Sequence, residues 1–142
     1  MKGPLRIALL GAGKMAMQHA AAIRQCAEAT LVAVVDPAIP PVALAATFGA
    51  EVLAFASVDE MLAAVRPDVV HVVTPPSTHV ELAIKCLDAG ASIYVEKPFA
   101  MTAQEATSVL EYAATRGLHA CAAHQVLFQD AGRAYREHLP VI

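Results

Sequence analysis

Six short apolar runs recur along the chain, each followed by helix-forming residues. The runs are 5–10 (LRIALL), 30–36 (TLVAVVD), 51–55 (EVLAF), 68–73 (DVVHVV), 91–95 (ASIYV) and 118–123 (LHACAA). They are rich in valine, isoleucine, leucine and alanine and are mostly continuous, which marks strands buried on both faces. Between them lie helical stretches at 14–28, 42–48, 59–65, 80–89, 106–116 and 130–139. Glycines 49, 90 and 117 stop three of these, and Pro67 and Pro140 close two more. Ser57 with Glu60, and Thr102 with Glu105, have the S/T-x-x-E spacing of a capping box, in which each side chain satisfies a free backbone donor of the first turn. Ser77 or Thr78 is placed to cap the fourth helix.

Buried strands alternating with helices predict an α/β fold, a doubly wound and mostly parallel sheet with helices on both faces. Repeats, low-complexity segments and flexible linkers are absent, so one domain is expected.

Composition narrows the partners. The chain has 142 residues, 57% of them hydrophobic, but no apolar run approaches the roughly 18 residues of a membrane span. The early patch IALL is too short for the apolar segment of a secretory signal, so a cytoplasmic protein is expected. Net charge is −3, without a basic cluster, which argues against nucleic acid or an anionic membrane as partner. Cys26, Cys86 and Cys121 are odd in number and far apart, with no C-x-x-C. They are expected to be reduced, mostly buried thiols, and no metal site is expected.

The first strand runs into Gly11-Ala12-Gly13-Lys14-Met15-Ala16, a G-x-G-x-x-A pattern. The first glycine permits a tight turn, the second lets a pyrophosphate approach the backbone, and the small last residue lets helix and strand pack closely. The phosphates would rest on the free amides at the positive end of the helix. Taken alone the motif is weak, but it follows a strand, opens a helix and is followed by a second strand ending in Asp36. That aspartate lies 20 residues beyond Ala16, where a carboxylate can accept hydrogen bonds from the adenosine ribose. It would repel a 2′-phosphate, so NAD is favoured over NADP. The domain reads as a Rossmann-type dinucleotide-binding fold.

The fifth strand ends abnormally: ASIYV runs straight into Glu96, Lys97 and Pro98, two opposite charges at the mouth of a buried strand. As residues alone they read as a surface ion pair beside a turn proline. With TPPSTHVELAIKCLDAG, the stretch YVEKPFAM resembles the N-terminal nucleotide-binding domain of the Gfo/Idh/MocA family, the relatives of glucose–fructose oxidoreductase and inositol dehydrogenase. The likeness runs from LRIALLGAGKMA to about Phe128.

The resemblance implies an NAD(H)-dependent oxidoreductase that moves hydride between the nicotinamide and a secondary alcohol or carbonyl, sugar- or polyol-like. By this likeness Lys97 is the catalytic residue beside the nicotinamide, Glu96 a cofactor or orienting contact, and Pro98 the fixer of the turn, by a cis peptide if need be. Thr74 and Pro75 would meet the cofactor through their backbone. His79 is as well read as an ordinary helix-start histidine as a cofactor contact, and His71 and His119 as structural or surface groups. The cofactor set is thus Gly11, Ala12, Gly13, Lys14, Met15, Asp36, Thr74, Pro75, His79, Glu96 and Lys97.

Two departures stand out. Where the family carries Asn-x-Arg-Phe and a proline, this chain reads His124-Gln125-Val126-Leu127-Phe128-Gln129-Asp130, so a leucine replaces the arginine. The family also has a second domain that shapes the substrate pocket and the homo-oligomer interface and supplies acid/base residues. Residues 1–128 are expected to form the dinucleotide domain and 129–142 the start of a connection to that missing domain, with Leu139 and Ile142 exposing apolar surface. The alternative is a non-catalytic NAD-binding sensor, which would show no substrate-dependent turnover.

Overall fold

The structure, a computed structural model, describes residues 3–138. Strand β1 (Leu5–Leu10) leads into helix α1 (Lys14–Gln25), followed by β2 (Ala29–Val35), α2 (Pro41–Phe48), β3 (Leu53–Phe55) and α3 (Val58–Val65). The second half continues with β4 (Val69–Val72), α4 (His79–Asp88), β5 (Ser92–Val95), α5 (Ala103–Thr115), β6 (Ala120–Ala122) and α6 (Asp130–His138). The six strands form one sheet in the order β3-β2-β1-β4-β5-β6, and every neighbouring pair is parallel. The order reverses between β1 and β4, the switch point at whose carboxyl rim open α/β sheets bind ligands.

Register sets the positions along that rim. Leu10 pairs with Val35 on one side and Val72 on the other, and Val72 pairs in turn with Val95. The residues that leave these strands, Gly11, Asp36, Val73 and Glu96, therefore emerge in one row.

Two cores cover the sheet. On one face α1 and α2 bury Ile7, Leu9, Leu31 and Val34 beneath Ala16, Ala20, Ile23, Leu44 and Phe48. On the other, α3, α4 and α5 cover Ala8, Leu10, Val70, Val72, Ile93 and Val95. Burial on both faces holds for β1 and most of β2, but β4 and β5 alternate instead. Val70, Val72, Ile93 and Val95 are buried while His71 and Tyr94 on the α1 side are only half-buried, because α1 packs mainly on β1 and β2 and meets that half of the sheet through His19.

Other boundaries shift for local reasons. The third strand begins at Leu53 because Val52 N–H turns back to Gly49 C=O. Helix α1 ends at Gln25, where Cys26 N–H closes on Ile23 C=O. The expected side-chain cap of α4 is absent. A 3₁₀ turn at Pro76–Thr78 precedes that helix, and the Thr78 hydroxyl bonds Pro75 C=O and the Thr74 hydroxyl instead of a helix amide. The capping box of α5 is present in full, with Glu105 N–H donating to Thr102 and the Glu105 carboxylate accepting from Thr102 N–H.

The cysteines correct an expectation: Cys86 is buried on α4, but Cys26 and Cys121 are exposed, one at a helix end and the other on the uncovered side of β6. Among the described residues no helix is long and apolar enough to cross a membrane. The apolar surface expected at Leu139 and Ile142 lies outside the described residues.

Candidate functional site

The turn after β1 is built on Gly11, whose φ of +94° is open to glycine at no steric cost. A Cβ there would also press on Val73 C=O, so this glycine lets β1 and β4 close at the switch point. Gly13 is different: it has an ordinary φ of −74°, and a Cβ on it would meet nothing within 4 Å. Its bare side faces open space in front of helix α1. That helix has neither a side-chain cap nor an acidic residue in its first turn, so its leading amides are left for an anion.

Asp36 Oδ2 accepts from Ala12 N–H at 3.0 Å and Oδ1 from Ala38 N–H at 2.9 Å. The half-buried carboxylate is thereby fixed beside the glycine loop with lone pairs to spare. Gly11, Ala12, Gly13, Lys14, Met15, Asp36, Thr74 and Pro75 all line one cavity of about 700 Å³ at this rim. A dinucleotide fits this donor set: amides for phosphates, a carboxylate for ribose hydroxyls and an uncrowded glycine between them.

The remaining three site residues are placed otherwise. His79 is 1% exposed and lies behind the cavity, its Nδ1 2.8 Å from Pro98 C=O and its Nε2 2.8 Å from Thr74 C=O. With a backbone carbonyl oxygen against each ring nitrogen and almost no exposed surface, the ring presents no polar atom to a cofactor. It fastens the loop after β4 to the turn after β5. Lys97 is exposed on that turn, beside a shallow pocket shared with Pro98, His124 and Gln125, and the Lys97–Pro98 peptide is cis.

Glu96 is 6% exposed, and its carboxylate faces inward rather than pairing with Lys97. Oε2 accepts the Lys97 backbone N–H at 3.1 Å, and Oε1 lies 3.1 Å from His19 Nε2. His19 Nδ1 is in turn 3.0 Å from His71 Nδ1, and Tyr94 packs on His71 at 4.9 Å between ring centroids. Burial, and secondarily the charge of His19, lower the pKa of His71 to about 4.

His71, expected to be a structural or surface group, has partners, and His19 was not among the expected site residues. A signal for His19 existed. It lies on the α1 face that carries Ala16, Ala20 and Ile23, and a polar side chain on a buried face needs a partner. Among the described residues no cluster of three or more His, Cys, Asp or Glu side chains could hold a metal ion.

The model of the Gfo/Idh/MocA oxidoreductase family, described by its NAD-binding Rossmann fold, matches residues 5–124. An inositol 2-dehydrogenase of Rhizobium meliloti is 38% identical over 75% of this chain and 32% of its own length. A D-glucoside 3-dehydrogenase of Escherichia coli is 37% identical over 80% of this chain and 33% of its own. The crystal structure of the WlbA dehydrogenase from Bordetella pertussis, in complex with NADH and UDP-GlcNAcA, superposes with a TM-score of 0.85 at 26% identity, over 94% of this chain and 41% of that one. The chain thus spans about a third of the length of these curated relatives.

Proposed function

The chain belongs to the Gfo/Idh/MocA oxidoreductase family and has its NAD-binding Rossmann fold, and from that premise we propose that it is the cofactor-binding half of an NAD(H)-dependent dehydrogenase acting on a secondary alcohol or carbonyl of a sugar or polyol. The observation that carries the reading is the cavity in which Gly13, the uncapped end of α1 and Asp36 converge. In this reading residues 11–15 hold the pyrophosphate on backbone amides, Asp36 accepts the adenosine ribose hydroxyls, and Thr74 and Pro75 border the cofactor.

When bound, NAD supplies the hydride acceptor. Lys97 stands on the next strand end along the rim, free to hold the substrate oxygen and take its proton, a role that requires hydrogen-bond reach of the reacting group. Glu96 orients the turn from inside, and His79 anchors it through Pro98 C=O.

The substrate class is supported by relatives that are inositol and glucoside dehydrogenases. Leu127, in place of the arginine expected by resemblance, removes a cation from the segment beside Lys97, which favours a substrate uncharged at that end. Residues 1–128 are assigned to the cofactor domain and 129–142 to the start of a connection to a substrate domain, through which the full-length protein forms homo-oligomers. Nucleic acid and membrane have no part in this reading. A cytoplasmic setting, where NAD(H) is at hand and thiols stay reduced, belongs to it as well.

Calorimetric titration of NADH and NADPH into the 142-residue chain tests the nucleotide site. NADH is expected to saturate and to bind more tightly than NADPH. Asp36→Ala is expected to weaken NADH by about 10-fold or more, since hydrogen bonds to a charged group are worth about 1.5–3 kcal/mol. Absence of binding by either cofactor overturns the reading.

A further inference from the structure

With His19 neutral, the groups that join Glu96 to β4 along the α1 face of the sheet have a donor order that their chemistry fixes. A carboxylate only accepts hydrogen bonds, so at Glu96 Oε1 the donor is His19 Nε2–H, across 3.1 Å. A neutral His19 then presents a lone pair at Nδ1. His71 Nδ1, 3.0 Å away, must therefore carry its proton and donate. His71 Nε2 is left as an acceptor, without a partner among the described residues. No buried side-chain nitrogen or oxygen among them lacks a partner, so this atom opens toward the cavities that His71 lines on the uncovered side of β4 and β5.

We propose that His71, His19 and Glu96 form a directed hydrogen-bond relay, donating in that order, which positions the Lys97 turn against the helix that carries the nucleotide-binding loop. Three elements meet in it: His71 is on β4, His19 on α1 and Glu96 at the end of β5. The last link is Glu96 Oε2 accepting Lys97 N–H at 3.1 Å. His19 and Glu96 side chains are 10% and 8% exposed, so the link is shielded from the water that would loosen a surface pair.

Helix α1 opens at Gly13 and reaches His19 within two turns. A shift of its phosphate-facing end therefore moves the atom that holds Glu96. His19 and His71 are positioning residues: they act on Lys97 through Glu96 and need touch neither cofactor nor substrate. The catalytic meaning of the relay rests on the function proposed above; the relay itself does not.

Two-bond ¹H–¹⁵N correlation spectra of the histidine-labelled chain at pH 8 read the donor order directly. His19 is expected as the Nε2–H tautomer and His71 as the Nδ1–H tautomer. Two Nε2–H tautomers would point two lone pairs at each other and overturn the relay.

Hydrogen exchange supplies the functional readout. His19→Leu is expected to speed exchange of the Lys97 amide about 10-fold, the size expected for loss of a constrained charge-assisted bond, while Val95 in β5 keeps its rate. His19→Gln, whose amide can still donate to Glu96, is expected to recover most of the protection. A Lys97 amide that does not respond, or that moves together with β5, overturns the positioning role. NADH titration on the same samples separates the two proposals: the expected tautomers without NADH binding would uphold the relay and sink the cofactor reading.

Discussion

A Cβ added at Gly11 would lie 2.9 Å from the Val73 carbonyl oxygen, on a backbone with φ of +94°. At Gly13 the same atom would enter empty space. The two glycines of one motif thus answer to different forces, one to the packing of β1 against β4 and the other to whatever enters the cavity. Gly11→Ala is expected to cost about 2 kcal/mol or more of stability, from the left-handed backbone and the contact with Val73. Gly13→Ala is expected to change stability by less than about 1 kcal/mol. It should nonetheless weaken NADH about 10-fold, by holding the phosphates off the amides. Urea unfolding and NADH titration of both variants check this; equal losses of stability would remove the distinction. The motif announced both glycines through spacing alone. It could not separate them, because what each Cβ would touch lies some 60 residues away or is not protein at all.

At the scale of elements, local chemistry was readable where it is local. Thr102 and Glu105 are three residues apart, and both bonds of their capping box form. Ser57 and Glu60 share the spacing, yet the Ser57 hydroxyl accepts Glu60 N–H only at 3.5 Å, the limit of a useful bond. Thr102→Ala is expected to cost about 1 kcal/mol and Ser57→Ala about half of that or less, as read by urea midpoints at constant m-value. The cap expected of Ser77 or Thr78 fails because consecutive prolines at 75 and 76 wind a 3₁₀ turn there, in which the Thr78 hydroxyl donates to Pro75 C=O and accepts from the Thr74 hydroxyl instead of from a helix amide. His79 inherits a role that no local rule supplies. Its ring joins carbonyls at 74 and 98, and the second belongs to another loop.

Across the whole molecule the sheet is wound unevenly. Helices α3 to α5 cover one face, while α1 and α2 cover the β1–β2 half of the other and leave Tyr94 and Cys121 beside open cavity. Thiol chemistry reports that asymmetry. Cys26 and Cys121 are exposed, whereas Cys86 is fully buried and burial pushes its pKa up to about 12. An aromatic disulfide reagent is therefore expected to titrate two thiols rapidly in the native chain and the third only on unfolding, since the thiolate is the attacking species. Three rapid thiols would mean that α4 does not seat Cys86 against β4 and β5 as described.

Alternating apolar and helical stretches, the glycine loop and Asp36 at the end of the second strand were enough to specify a parallel α/β sheet and the neighbourhood of a nucleotide site. Each is a short-range pattern, and hydrophobic burial with backbone hydrogen bonding leaves such patterns few ways to fold. The direction of Glu96 was not among them. Beside Lys97 in the chain, it reads as half of a surface ion pair. In the fold its carboxylate turns inward to a histidine 77 residues away. Only the tertiary structure could decide that, because β4, α1 and β5 meet by strand order and register, and a buried carboxylate must take the donors that the meeting provides.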